Sequence, residues 1–254
     1  MYRNSIRLSF ILLLTALLSG CVYWRLLQTK FQLNDFDEYF SLIVADDLTW
    51  HFKQPLLYSE DFIYLAKLQP SSILKEKSGE KWQLLFRKID EQGNLIKPEV
   101  NYFFTLKFNH QQKLTDLSLS PKFLKMAPPE FLEASLRSLG RGDIFESKRQ
   151  LKVSADKMLK ISAKLPKKTI ILKYLGPPLN KTEEDGLEVY FYRFLLQTPH
   201  IEEGYEDRAF SDLKLWFDKK TLELVKFGGR FAGLKLRIDY RDYQQIDTDN
   251  QASL

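Results

Sequence analysis

The chain has 254 residues, of which 28% are charged and 44% hydrophobic, and its formal net charge is +5. This composition indicates a folded protein of one large domain or two small ones and excludes a disordered chain. Lysine and arginine are interspersed with acidic residues, so no basic stripe predicts a nucleic-acid partner. The single cysteine excludes an internal disulfide, and stability must therefore come from packing.

The first twenty residues have the pattern of a secretory leader. Arg3 and Arg7 precede an apolar run from Leu8 to Leu18, which two hydroxyl residues interrupt. A run of this length is too short to cross a hydrocarbon core of roughly 30 Å as a helix, since a helix needs about 20 residues to do so. We therefore predict a cleaved signal peptide over residues 1–20.

The end of this leader contains the only cysteine. The residues Leu18-Ser19-Gly20-Cys21 resemble the lipobox of bacterial lipoproteins. The resemblance implies that Cys21 is the acylated N-terminus of the mature chain, and Val22, in place of an aspartate, favours sorting to the outer membrane. Two or more acyl chains anchor a protein stably. We expect a lipid-anchored protein facing the periplasm, with residues 21–35 as lipidated terminus and tether. The alternative is that Cys21 is an ordinary apolar residue of an N-terminal anchor.

The first half of the mature chain predicts a mixture of strands and one short helix. Alternating apolar residues on both sides of Asp46-Asp47 predict a β-hairpin. Ser59 is a plausible N-cap for a short helix, with Glu60 and Asp61 in its first turn. The segments KWQLLFRKI, VNYFFTLKF and KLTDLSL then predict an antiparallel meander. We expect a first α+β module over residues 36–126.

A helix is predicted between the two halves. In APPEFLEASLRSLGRGD, Leu132, Leu136 and Leu139 recur at helical spacing, two prolines precede the helix, and Gly140 ends it. We assign residues 127–148 to this bridging helix and a linker.

The second half repeats the order of patterns in the first. TIILKYLGPPLN matches DFIYLAKLQPSS, LEVYFYRFLL matches KWQLLFRKI, and FSDLKLWFDKKTLELVKF matches YFFTLKFNHQQKLTDLSL. In the last pair Phe217-Asp218 aligns with Phe108-Asn109. We expect a second α+β module over residues 149–246 and a frayed tail over residues 247–254.

The second half also carries a family resemblance. Leu175-Gly176-Pro177-Pro178, Tyr190-Phe191-Tyr192 and Phe217-Asp218 resemble the small outer-membrane lipoprotein domains of the BamE (SmpA/OmlA) type and the related β-lactamase-inhibitor-protein-like fold. The expected fold class is therefore α+β, with two related modules after a lipoprotein signal peptide, each made of short helices packed on an antiparallel β-meander. The resemblance implies an accessory role in outer-membrane assembly or maintenance.

Residues that could perform catalysis or bind a metal are scarce. His51, His110 and His200 form no metal-binding or catalytic spacing, and no Gly-x-Ser-x-Gly elbow occurs. The acidic group Glu183-Glu184-Asp185 lacks the alternation and glycine of a calcium loop. We therefore predict a protein that is not an enzyme and that has no metal and no cofactor.

A binding surface is predicted around the strand LEVYFYRFLL, because both of its faces are apolar or aromatic. The candidate binding residues are Tyr190, Tyr192, Phe194, Trp216 and Arg237, residue types that often anchor protein contacts. This surface predicts a non-catalytic binding or scaffold protein with an envelope protein as its partner. Two alternatives remain open: the aromatic face is buried, either between the two repeats or under the middle helix, or the protein is a periplasmic carrier or sensor of a small apolar or glycan ligand.

Overall fold

The structure is a computed structural model that describes residues 22–145 and 150–245. Cys21, where we predict acylation, and the predicted signal peptide lie outside the described residues, as does the predicted tail. Within the described ranges, no helix is both long enough and apolar enough to span a membrane.

Short helices separate groups of consecutive strands along the chain. The helices are α1 (residues 22–32), α2 (Phe36–Tyr39), α3 (Ser59–Ala66), α4 (Pro121–Leu124), α5 (Pro129–Leu139) and α6 (Lys168–Leu175). The strands are β1 (Phe40–Val44), β2 (Leu48–Phe52), β3 (Ser72–Glu76), β4 (Gly79–Lys88), β5 (Asn101–Asn109), β6 (Leu114–Leu119), β7 (Asp143–Phe145), β8 (Gln150–Lys152), β9 (Asn180–Glu184), β10 (Leu187–Leu196), β11 (Phe210–Phe217), β12 (Leu224–Phe231) and β13 (Leu234–Asp239).

Local residue chemistry explains where the helices begin and end. In α3 the Asp61 carboxylate accepts the Tyr58 backbone N–H at 2.8 Å, so the cap comes from the third helical residue and not from Ser59. Helix α5 begins with proline at its first position, where the missing N–H has no helical partner to lose. Helix α6 ends at Gly176, whose φ of 66° favours glycine.

One antiparallel sheet of eleven strands forms the body of the molecule. Its order is β1-β2-β6-β5-β4-β10-β11-β12-β13, and β3 and β9 pair with the outer parts of β4 and β10. Strands β7 and β8 form a separate hairpin. The architecture is therefore a single large sheet with helices on one side.

This continuity makes the expected fold class, two separate modules of helices on a meander, wrong. The two halves join where β4 pairs with β10, with Phe86 opposite Leu196 and Lys88 opposite Phe194. Strand β3 covers only the first part of β4, and β9 only the first part of β10, so each long strand has a free edge at its end. A free edge exposes unpaired N–H and C=O groups, and the two free edges satisfy each other.

The two halves nevertheless have the same order of elements. Helix α3 with strands β3 to β6 corresponds to helix α6 with strands β9 to β12. A register shift falls between Lys107 and Phe108 in one half and between Trp216 and Phe217 in the other. The two β-bulges thus lie at equivalent places, just before the turn that leads into the next strand.

The sheet is strongly curled. In a flat sheet, four inter-strand steps of about 4.8 Å would separate β5 from β12 by roughly 19 Å. The rings of Phe104 on β5 and Phe231 on β12 are nevertheless only 5.4 Å apart, centroid to centroid. The apolar core therefore lies inside the curve, on the concave face, and the helices cover it.

Candidate functional site

The concave face is lined almost entirely by large apolar side chains. Alternation along each strand places every second residue on this face, and the register aligns these residues across the sheet. The buried aromatic residues of this face on the central strands are Trp82, Phe86, Tyr102, Phe104, Phe108, Tyr190, Tyr192, Phe194, Phe217, Phe227 and Phe231. The face is a continuous aromatic surface from β5 to β12.

Two tyrosine hydroxyls on this face form hydrogen bonds within the protein. The Tyr102 and Ser211 hydroxyls share a hydrogen bond of 2.7 Å, and the Tyr192 hydroxyl donates to the Gly176 carbonyl at 3.1 Å. Burial raises the pKa of both tyrosines, so both stay neutral. These hydroxyls leave few hydrogen-bonding sites for a polar ligand on the concave face.

Phe123 fills the centre of the aromatic surface from the opposite side. It belongs to α4, a helix of four residues, and its ring lies 4.9 Å from that of Phe104 and 5.4 Å from that of Phe231. The rings of Tyr102 and Phe227 lie at 5.6 and 5.8 Å. Phe123 thus occupies a space whose walls come from strands on both sides of the curled sheet.

Gly229 leaves room for the Phe231 ring of β12 to pack against Phe123. A Cβ on Gly229 would lie 2.6 Å from the Phe231 ring and 2.8 Å from the Leu213 side chain. The Phe231 ring can therefore fold back across its own strand only because residue 229 has no side chain.

Helices α4 and α5 form a cover over the concave face, which we call the cover segment (residues 121–139). Polar contacts with other elements hold it in addition to apolar packing. The Tyr240 hydroxyl donates to the Met126 carbonyl at 2.5 Å, the Leu159 N–H donates to the Ser138 hydroxyl at 3.1 Å, and Arg137 donates to Asp37 at 2.8 and 3.0 Å. The Arg137 guanidinium holds the pKa of the Asp37 carboxyl below its usual range.

A cleft of about 740 Å³ opens at one edge of the cover segment. It lies between the chain that follows α1 and helix α5, and acidic and basic side chains line its mouth. The lining residues are Leu33, Asn34, Asp35, Phe36, Asp37, Glu38, Arg137, Arg141 and Leu159. The ion pair between Arg137 on α5 and Asp37 on α2 therefore joins the cover segment to the rest of the protein at the edge of this cleft.

Lys88 is a buried cation at the junction of the two halves. It is 2% exposed, and its ammonium group donates to the carbonyl oxygens of Leu175 at 2.7 Å and Pro177 at 2.5 Å. Burial lowers its pKa to about 8. The role of Lys88 was not predicted from the sequence, although in KWQLLFRKI this residue continues the alternation of Trp82 and Phe86 on the buried side.

The five predicted binding residues do not form one surface. Tyr190, Tyr192 and Phe194 lie on the concave face and are buried. Trp216 pairs with Val189 in the register and therefore lies on the outer face, together with Arg237. Val189 and Tyr190 are neighbours on β10, so their side chains point to opposite faces of the sheet. Trp216 lies opposite Val189 and therefore does not share a surface with the β10 aromatic residues.

Trp216 is the centre of a small cluster on the outer face. Its indole N–H donates to Glu184 at 2.9 Å, and the Arg237 guanidinium lies 5.6 Å from the ring centre. Hydrogen bonds from Lys214 and Trp216 hold the pKa of the Glu184 carboxyl below its usual range. Trp216 is only 7% exposed, because these neighbours cover it.

Within the described part of the chain, no three His, Cys, Asp or Glu side chains are grouped so that they could hold a metal ion. His51 instead pairs with Asp116 across two strands of the outer face, at 2.9 Å.

Comparisons with known proteins add one structural similarity. No protein-family model and no curated protein matches the chain. Among solved structures, the chain is similar to the crystal structure of a LolA superfamily protein from Nitrosomonas europaea, over 71% of this chain and 75% of that one. The sequence identity is 10% and the TM-score is 0.15, and at that score the similarity supports no conclusion about fold or function.

Proposed function

We propose that this protein is a non-catalytic carrier that binds an apolar or amphiphilic ligand between the concave face and the cover segment. The observation that supports this most directly is the position of Phe123. A single side chain on a four-residue helix fills the aromatic space between β5 and β12. An acyl chain that displaced Phe123 would meet the same apolar walls.

Opening the cover segment would break few polar contacts. The Asp37 side chain of the Arg137 pair is 80% exposed, so that ion pair stabilises the closed state only weakly. Most of the loss on opening would be apolar contact around Phe123. A bound acyl chain would replace that contact, so apolar burial would be retained in the loaded state.

The chemistry of the concave face favours an apolar ligand over a glycan. A glycan needs hydrogen-bonding partners, but the hydroxyls of Tyr102 and Tyr192 already bond within the protein. The ligand class that fits is a long hydrocarbon chain with its polar end left at the cleft.

We also propose that the carrier is a lipoprotein of the cell envelope. The pattern of Leu8 to Leu18 and the residues before Cys21 support an acylated terminus, and Val22 supports the outer membrane, with the folded part in the periplasm. An apolar ligand that crosses this aqueous space needs a shield from water. An envelope protein would then deliver or accept the ligand, and no cofactor takes part.

Photocrosslinking in living cells tests the carrier function. A photoreactive phenylalanine analogue replaces Phe123 in the full chain, and mass spectrometry identifies what it captures. The matched control replaces Phe131, an equally buried residue of the same cover segment whose ring lies 4.7 Å from that of Tyr240.

We expect position 123 to capture molecules with the mass of acyl lipids and position 131 to crosslink within the protein. The same analogue at Phe231 provides a second probe from the sheet side. If positions 123 and 231 yield only crosslinks within the chain, the carrier function is wrong.

A further inference from the structure

Helix α1 packs against the protein through one of its two apolar stripes. The stripe Val22, Leu26, Thr29 and Leu33 has helical spacing, and three of its members are buried: Val22 at 7%, Thr29 at 8% and Leu33 at 5% exposure. This stripe accounts for the attachment of α1 to the body.

A second apolar stripe faces outward. Tyr23, Leu27 and Phe31 follow one another every four residues, and Trp24 lies beside them on a helix of about 3.6 residues per turn. Tyr23, Trp24 and Phe31 are 45, 59 and 52% exposed. A surface helix usually turns polar residues outward, so exposed aromatic side chains such as those of Trp24 and Phe31 indicate contact with an apolar surface outside the folded chain.

Helix α1 is held rigidly, so its outward stripe has a fixed direction. The Arg25 guanidinium bonds both oxygens of the Asp61 carboxylate, at 2.8 Å from Nε to Oδ2, and lies 5.0 Å from the centre of the Tyr58 ring. Asp61 is 1% exposed, so water cannot replace Arg25 as the partner of its carboxylate. The Gln32 side chain donates to the Gln54 carbonyl at 3.1 Å at the other end of the helix.

The anchor proposed above for the segment before α1 points to a membrane as the partner. The described part of α1 follows Cys21 and the apolar run Leu8 to Leu18 in the sequence, so acylation of Cys21, on which this inference rests, would bring α1 to a bilayer. Residues 22–32 contain two basic residues and no acidic one. The Lys30 ammonium lies 5.6 Å from the Phe31 ring centre, at the side of the stripe, where it can reach anionic headgroups.

We propose that α1 lies flat on the membrane surface, with Tyr23, Trp24, Leu27 and Phe31 in the boundary between headgroups and acyl chains. Tyrosine and tryptophan are enriched in this boundary because one end of each ring system is apolar and the other polar. The folded body therefore has one fixed orientation on the bilayer. This orientation depends on α1 alone and holds whether or not the concave face carries a ligand.

The orientation is tested at Phe31, because this residue is about 12 Å along the helix from Tyr23 and reaches the lipid only if α1 lies flat. Phe31→Cys is labelled with an environment-sensitive fluorophore in the full chain, reconstituted in vesicles of phosphatidylethanolamine and phosphatidylglycerol with brominated acyl chains. Ile170→Cys on α6, where the native residue is 44% exposed, is the matched control. We expect brominated lipid to quench the label at position 31 about threefold more strongly than the label at position 170.

Equal quenching at positions 31 and 170, in chains that remain in the vesicle fraction, would overturn the proposal. The parent chain, whose single cysteine is Cys21, is treated with the same fluorophore as a control. An acylated Cys21 has no free thiol and takes no label, so this control tests the acylation separately from the orientation of α1. If the parent chain does take label, the acylation at Cys21 is wrong, and the two positions are compared in a Cys21→Ser background. The quenching ratio then still decides how α1 lies.

Discussion

The ammonium group of Lys88 donates a hydrogen bond of 2.7 Å to the carbonyl oxygen of Leu175. This bond connects the end of strand β4 in the first half to the last residue of helix α6 in the second half. A cation at a helix C-terminus also interacts favourably with the helix dipole. The contact reinforces the junction at which the two halves share one sheet.

Lys88 makes stability depend on pH in a defined window. Its pKa is about 8 in the folded protein and about 10.4 in the unfolded chain. Between these values the unfolded chain binds more protons, so stability rises as the pH increases through about 8. We expect the free energy of unfolding to increase by about 2 kcal/mol between pH 7.5 and pH 9.5, as measured by urea denaturation.

Lys88→Met is the control for this pH dependence, because it removes the titrating group and keeps the length of the side chain. We expect its stability to be flat over the same range. Measurements stop at pH 9.5 because the raised pKa values of Tyr102 and Tyr192 lower stability at higher pH. A wild-type curve as flat as that of the variant would contradict this account of Lys88.

Phe123→Ala and Phe131→Ala should destabilise the protein to a similar degree but respond differently to an apolar ligand. Both side chains are fully buried, and each truncation should cost about 3–5 kcal/mol. Palmitic acid should raise the Tm of Phe123→Ala, because the vacated space is lined by aromatic side chains from β5 and β12. The Tm of Phe131→Ala should not change. Equal shifts in both variants would argue against a specific ligand space.

Two adjacent glycines test the packing on the two faces of β12. Gly229→Ala places a methyl group 2.6 Å from the Phe231 ring on the crowded concave face, and should destabilise the protein by about 1–3 kcal/mol. Gly228→Ala meets the Trp216 ring at 3.2 Å on the outer face, where the side chain can shift. Denaturant unfolding should therefore show the larger loss for Gly229→Ala, and the reverse order would contradict the assignment of the faces.

Asp37→Asn should loosen the cover segment without unfolding the protein. It weakens the bonds to Arg137 and should speed amide hydrogen exchange in residues 129–139. Asp207→Asn is a matched control, because it weakens an exposed pair with Arg230. In the wild-type protein the same loosening should occur as the pH falls through the lowered pKa of Asp37, below its ordinary value of about 3.9. Unchanged exchange in Asp37→Asn would exclude a closing role for this pair.

Local patterns in the sequence predicted many of the elements and left their assembly open. The alternation in LEVYFYRFLL predicts the strand that the structure shows as Leu187–Leu196, and the prolines before Glu130 predict the start of α5. The pairing of Phe86 with Leu196 had no local signal, because it joins residues more than a hundred positions apart. That single ladder turns two expected modules into one sheet.

The candidate site was predicted only in part. The aromatic character of Tyr190, Tyr192 and Phe194 was evident, but alternation alone does not say which face the helices cover. Which face of the sheet Trp216 occupies depends on its pairing with Val189, and the sequence alone does not show that pairing. Phe123 lies in a four-residue helix, too short for periodicity to detect.

The ladder between β4 and β10 is symmetric about Arg87 and Leu195, with Phe86 facing Leu196 on one side and Phe194 facing Lys88 on the other. A chain consisting of one half alone could form the same ladder with a second copy of itself, because the free edge of each long strand is complementary to its own two-fold image. The present architecture is therefore what gene duplication and fusion of a small homodimeric ancestor would produce. In that ancestor, two identical subunits would have enclosed the aromatic interior that a single chain now encloses.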